Sequence, residues 1–529
     1  MNRKVLVLPA LLGLIGTAAL AGCGGSDGSG GGSDPIVMGS LDSFTLSKDS
    51  PAPLDPAASY EASSWNIFYN TFQMLLRYPR SGTTPQPDAA KSCTFTDQQS
   101  EAYSCTLRGG LKFSNGDPLT SRDVKFSVDR MLKINSDAGP ASLLSSVSKV
   151  ETPDDRTVVF YLKSPDATFP FKLATPAAAI VDSKVYEGDK PHTGFRIVGS
   201  GPYKLDSFAA GKAVFSANTD YRGTVTRQNN RVELKFFTSP ETLYKALVHG
   251  SIDVTTALTS SQIASLQARP VNGIELDEAP GSQAHYLFLD TAAGAPFQKR
   301  AVRVALDQLL DREQLARDVY RRTVDPLYSV VPQGVTGHKN SFYNLYGIAG
   351  AAAAKATLRA AGITTPVKFT YTFRSPSGSS AADEARWLRR RLNDSGLFDV
   401  TVKQVPTDSF LGNALRGAYQ AYGLSWVPDF PDADNYIAPF FGDNFLHLAY
   451  SSREIKSTLL PRSRRTADRA ATSAEFEAAQ DIVAHDVPVI PLWQSKQYLA
   501  SRDGITGVEW ALNSTSTTQF WELGKGQTE

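Results

Sequence analysis

Val232-Glu233-Leu234-Lys235-Phe236-Phe237-Thr238-Ser239-Pro240-Glu241-Thr242-Leu243-Tyr244-Lys245-Ala246-Leu247-Val248-His249-Gly250-Ser251-Ile252-Asp253-Val254 is the stretch that decides the fold. Residues 232–237 are rich in β-branched and aromatic side chains and read as a strand. Ser239 then stands where a helix cap belongs, with Pro240 at the first helical position. Leu243, Ala246 and Leu247 recur at helical spacing, His249-Gly250 closes the helix, and Ile252-Asp253-Val254 begins another strand. A strand, a crossover helix and a strand make a βαβ unit, which predicts a parallel sheet.

A second such unit lies downstream. Val367-Lys368-Phe369-Thr370-Tyr371-Thr372-Phe373 is a strand, and Ser379 or Ser380 caps a helix in which Ala385, Trp387, Leu388 and Leu392 face a core. Gly396 ends that helix and residues 400–402 resume the sheet. Residues 410–415 read as helix and 422–426 as another strand. Two separated α/β regions predict two lobes. Between them, residues 296–320 carry a helical pair with Asp311 capping the second member, and the alanine-rich run 349–361 is a helix closed by Gly362. Roughly 495 residues follow the N-terminal segment, too many for one core, so two or three domains are expected.

Open parallel sheets bind ligands beyond the carboxyl ends of their strands. That draws notice to Val427-Pro428-Asp429-Phe430-Pro431-Asp432-Ala433-Asp434-Asn435-Tyr436, which follows the strand ending at Trp426. Prolines stiffen it, and carboxylates and aromatic rings gather in it. Composition alone favours a solvated acidic turn, the commoner fate of such a charge run.

The N-terminus gives an address. Arg3 and Lys4 precede an apolar run over residues 5–20, too short for a membrane span. Leu20-Ala21-Gly22-Cys23 resembles the lipobox of bacterial lipoproteins, which predicts a signal peptide over 1–22 and lipid on the Cys23 sulfur. Residues 24–34 are almost all Gly, Ser and Asp, a flexible tether reaching at most about 38 Å. Cys93 and Cys105 remain as an even pair, and an oxidising compartment would allow a disulfide between them. The chain carries 54 basic and 53 acidic residues, so no global field favours nucleic acid.

Several stretches, in order, resemble family 5 of the extracytoplasmic solute-binding proteins, the peptide- and nickel-binding components of ABC importers. Leu107-Arg108-Gly109-Gly110-Leu111-Lys112-Phe113-Ser114-Asn115-Gly116-Asp117-Pro118-Leu119-Thr120-Ser121-Arg122-Asp123-Val124-Lys125-Phe126-Ser127 is close to the family's signature block. Physically it is a strand, an Asn-Gly turn, and a helix opened by a Thr120–Asp123 capping box, with Val124, Val128, Met131 and Leu132 as its apolar stripe. Residues 199–205, Asn218 with Tyr221, 300–312, 426–436 and 486–493 match further blocks of that family.

The resemblance implies an α/β, two-lobed periplasmic-binding-protein-like fold (type II, cluster C) with an extra inserted domain. Domain I would comprise 35–58, 178–280 and 496–529, inserted domain II 59–177, and domain III, the second lobe, 281–495. Strands near 284–290 and 493–499 would form a hinge on which the lobes close. In peptide-binding members an aspartate of the acidic segment receives the ligand's α-ammonium, and Asp429 is the matching position. Trp426 and Tyr436 would be pocket wall. The chain departs from the family at Asp290, where asparagine is usual, and at Ala433, where proline is common.

An exported enzyme is the main rival. Gly24-Gly25-Ser26-Asp27-Gly28 fits a serine-hydrolase elbow formally, but it lies in the tether with no strand before it. No Walker A or His-Glu-x-x-His sequence occurs, and the six histidines stand apart, so no metal site is expected and direct nickel binding is disfavoured, a metal–chelator complex staying open. Asp432 and Asp434 as a glycosidase pair, or a receptor that senses a peptide, are the other readings. The expectation is a lipid-anchored, monomeric binding protein without cofactor or chemistry of its own, handing a solute, foremost an oligopeptide, to an ABC permease.

Overall fold

The two ends of the predicted βαβ unit, Arg231–Phe236 and Val254–Thr255, do lie in one sheet, but they do not touch. Ile36–Ser40 runs between them, parallel to both, with Val37 opposite Glu233 and Met38 opposite Val254. In this computed structural model, which describes residues 34–47, 50–209, 211–376, 378–512 and 514–526, the crossover helix is Pro240–Val248. The Ser239 hydroxyl caps it by accepting from the Thr242 N–H at 3.2 Å. Leu243 and Leu247 are fully buried, in a small cluster with Ile252 and Ala500. The predicted signal peptide, Cys23 and nearly all of the tether lie outside the described residues.

The second unit is also parallel, but its two strands pair directly. Val367–Phe373 runs parallel to Phe398–Gln404 on one side and to Ala421–Trp426 on the other. The helix Ala381–Asp394 buries Ala385, Trp387, Leu388 and Leu392, as its spacing predicts, and also Glu384.

Two long strands join these halves into one eleven-stranded sheet. Ile274–Leu289 and Val489–Arg502 pair antiparallel from Ile274↔Arg502 to Phe288↔Val489, with register breaks at Pro280/Ala284 and His285/Tyr286. Ala421–Trp426 pairs with the first of them and Val254–Thr255 with the second, both antiparallel. At the first break a side chain on Gly281 would meet the Ser495 backbone oxygen at 2.4 Å, so the two backbones approach there as only glycine permits.

Apolar side chains divide accordingly. One large cluster gathers residues 284–493. Another gathers residues 36–254 with Phe430 and the C-terminal 499–523. The latter includes a four-stranded antiparallel sheet, in the order Ala90–Phe95, Ala102–Leu107, Thr157–Leu162, Val147–Glu151. Cys93 and Cys105 face each other across its first pair of strands and are joined as a disulfide. The helix Ser121–Ile134 buries Val124, Val128 and Met131 beside it, Leu132 being half-buried, and the Thr120 N–H donates to Asp123 at 2.9 Å as a capping box requires. Arg130 on that helix donates to both oxygens of Asp55, at 2.9 and 2.6 Å, with both side chains out of solvent.

A cleft at the carboxyl ends of the strands

Val367–Phe373 and Ala421–Trp426 run parallel to each other, Val254–Thr255 runs opposite to them from the other half, and the carboxyl ends of all three meet at one place. The residues that follow them, Thr256 and Thr259, Arg374 and Gly378, and Val427, line a cleft of about 520 Å³. This is where an open α/β sheet is expected to bind, since backbones diverge there and helix N-termini point in. The helix Ala381–Asp394 brings its N-terminal turn to the rim, and the paired long strands contribute Gln283, His285, Trp493 and Lys496. The volume falls within the roughly 300–1,000 Å³ of small-ligand sites.

Charge in the cleft is uneven. Lys496 is held by Glu278 at 2.8 Å. Arg374 lies over the Phe410 ring at 5.7 Å and has no ion pair among the described residues, leaving a cation free to face an anionic ligand group. Glu384 is 1% exposed and fully engaged: it accepts from Tyr320 Oη at 2.7 Å, Trp493 Nε1 at 2.9 Å, His285 Nε2 at 2.9 Å and Tyr371 Oη at 3.2 Å. Burial works to raise its pKa, but the His285 charge and these hydrogen bonds outweigh it and hold the carboxyl below its ordinary range.

The acidic segment is not a solvated turn. Asp429, Asp432 and Asp434 are all buried. Arg469 grips Asp432 through Nε at 2.8 Å and Nη2 at 2.9 Å. Arg464 holds Asp434 through Nε at 3.0 Å. Asp429 has no cationic partner within ion-pair distance among the described residues. It accepts a short hydrogen bond from the Tyr60 hydroxyl and one from Asn435 Nδ2 at 3.0 Å, while its own N–H donates to Asn435 Oδ1 at 2.8 Å. Burial raises the pKa of its carboxyl, and these donors only partly offset the shift. A buried carboxylate served by neutral donors alone is chemically suited to an incoming cation.

Of the residues singled out in the sequence, Asp429 is buried and hydrogen-bonded by Tyr60, a residue that is itself 38% exposed. Trp426 is half-buried, packs edge-on against Phe440 at 5.1 Å, and leaves its Nε1 without a partner. Tyr436 is fully buried and donates to the Ser282 carbonyl at 2.7 Å, which pins the acidic segment to the irregular stretch of the long strand. None of the three lines the 520 Å³ cleft; their neighbours Ser425 and Val427 do. Arg374 and Glu384 escaped the sequence reading, although Glu384 sits four residues before Leu388 on an apolar helical stripe, where a carboxylate is out of place. Among the described residues no group of three or more His, Cys, Asp or Glu is placed to hold a metal, and no helix is long and apolar enough to cross a membrane.

The model of the family described as bacterial extracellular solute-binding proteins, family 5 (middle), matches residues 84–445. Among curated proteins, the probable D,D-dipeptide-binding periplasmic protein DdpA of Escherichia coli K12 is 26% identical over 475 residues, 86% of this chain and 89% of that protein. The dipeptide-binding protein DppE of Bacillus subtilis 168 is 22% identical over 536 residues, 96% of each. Among solved structures, the periplasmic binding protein DppA of Helicobacter pylori in complex with the peptide STSA superposes with a TM-score of 0.77 at 20% identity, covering 93% of this chain and 98% of that one. AgaA of A. tumefaciens R10 with agropinic acid gives 0.75 at 22% identity, covering 94% and 99%. These likenesses bear out the periplasmic-binding-protein type of fold.

Proposed function

We propose that this chain, which belongs to family 5 of the bacterial extracellular solute-binding proteins and is therefore a binding protein and not an enzyme, captures a short peptide between its two halves and delivers it to an ABC permease. The observation that carries this reading is the charge layout around the cleft. Arg374, a cation without an ion pair among the described residues, lines it, and Asp429, a buried carboxylate whose hydrogen-bond donors are all neutral, lies in the segment leading out of it. A peptide offers the complementary pair, an α-ammonium and an α-carboxylate. The relatives named for dipeptides support the same class of ligand.

In this reading the α-ammonium displaces the Tyr60 hydroxyl from Asp429 and the carboxylate meets Arg374, while Trp426 and Tyr436 hold the acidic segment in place. The halves, domains I and II on one side and domain III on the other, close over the ligand about the two long strands. Lipid on Cys23 and the Gly/Ser tether keep the binder beside its permease, where short reach raises local concentration.

Native mass spectrometry of freshly purified protein tests the ligand class. Retained peptides of mixed sequence support it, and a single sugar, opine or metal chelate overturns it. Palmitate labelling that vanishes in Cys23→Ser tests the anchor.

A further inference from the structure

We infer that Ser425 contacts the ligand in the cleft, and that its hydrogen-bonding polarity is set by His285, which Glu384 holds in place. This deepens the peptide-binding reading and takes the nature of the ligand from it. Ser425 lines the cleft at the carboxyl end of Ala421–Trp426, and its Oγ stands 2.8 Å from His285 Nδ1. The other ring nitrogen, Nε2, stands 2.9 Å from Glu384 Oε1. Glu384 cannot serve a ligand, because Tyr320, Tyr371, Trp493 and His285 already occupy its roughly four lone-pair sites.

That saturation fixes the histidine. Trp Nε1 only donates, and the tyrosine hydroxyls point at the same carboxylate, so Glu384 acts as an acceptor throughout and His285 Nε2 must carry a hydrogen. The imidazole is further clamped by stacking on Trp493, 4.7 Å between centroids and 13° between planes. Gly423 makes room: a Cβ there would lie 2.4 Å from Tyr371 Oη and 3.1 Å from His285 Nε2.

With Nε2 committed, only Nδ1 can change state. In neutral His285, Nδ1 accepts a hydrogen bond from the Ser425 hydroxyl, and the serine oxygen turns its lone pairs to the cleft as an acceptor for ligand N–H groups. In protonated His285, Nδ1–H donates to Ser425 Oγ, and the serine O–H is released to donate to a ligand carbonyl or carboxylate. The groups around the ring are Glu384 from its helix, Tyr320 and Tyr371 at that carboxylate, and, lining the same cleft, Arg374 and Lys496, the latter paired with Glu278 and Asp325.

Nitrogen-15 NMR of the full chain decides the first half without any ligand. The His285 signals, assigned by their loss in His285→Gln, should show Nε2–H and a bare Nδ1 at pH 8; an Nδ1–H tautomer there overturns the inference. Calorimetry with trialanine at pH 8 and pH 5.5 decides the second half. Ser425→Ala should weaken binding by about 3–10-fold and change the ratio of affinities at the two pH values. Affinities equal to wild type at both pH values, with the fold intact by circular dichroism, overturn it. A wild-type protein that binds no peptide overturns the peptide reading instead, and the tautomer then still decides the polarity of Ser425. Cleavage of trialanine by wild type but not by Ser425→Ala would make Ser425 a nucleophile and overturn both.

Discussion

The hydroxyl of Tyr60 donates to the carboxylate of Asp429 across 369 positions of sequence. One residue belongs to the N-terminal half and the other to the segment leaving the second parallel unit, so a neutral donor from one side covers the acid of the other. If an α-ammonium replaces that donor, Asp429→Ala should weaken peptide binding by about 1.5–3 kcal/mol, the range for hydrogen bonds to charged groups. Calorimetry with a peptide and its N-acetylated form checks this, since only the free amine should sense the substitution. Equal loss for both forms would make Asp429 a structural residue.

The same carboxyl gives a pH dependence. Its pKa is raised in the free protein, chiefly by burial, and an ammonium favours its ionised form. Binding therefore sheds a proton once the pH falls to the raised pKa, and affinity should decline below that point by up to about tenfold per pH unit, this carboxyl adding no dependence above it. Asp429→Asn should remove this limb from a plot of log Kd against pH between 3.5 and 7.

Arg374→Ala should cost about 1.5–3 kcal/mol for a peptide with a free carboxylate and almost nothing for its C-terminal amide. The stacked Phe410 ring should stay put, so the thermal midpoint should hardly move. A loss that ignores amidation would assign Arg374 to packing.

Asp55 and Arg130 form a bidentate pair with relative side-chain exposures of 0% and 2%. Asp55→Ala leaves a buried guanidinium uncompensated and should destabilise the fold by about 3–5 kcal/mol, read by urea denaturation. The reverse change, Arg130→Met, strands the carboxylate and should cost a similar amount.

Local chemistry was legible in the sequence and long-range assembly was not. Ser239-Pro240 and the Thr120–Asp123 box announce helix starts because their partners lie within three residues. The place of Ile36–Ser40 between the two strands of the opening unit has no such signal, because sheet order is decided by pairing across 196 or more positions (Ile36↔Val232). The acidic segment misleads by composition: Asp432 and Asp434 read as solvated until Arg469 and Arg464, some 30–37 residues on, are brought to them. The cleft cluster is harder still. Glu384 draws donors from four separate segments, and each of those side chains alone passes for an ordinary core aromatic or histidine.

Ile274–Leu289 and Val489–Arg502 are hydrogen-bonded to each other and to a strand of either half. Movement of one half against the other therefore need not unzip a ladder. It can be taken up as torsion about a two-strand bar, softest where Gly281 lets the strands slip register. If the halves close as proposed, a joint that twists without losing bonds would add little backbone cost to either posture. The ligand's own contacts are then free to decide which posture prevails, and stiffening the bar at Gly281 should slow exchange between postures before it alters the affinity of either.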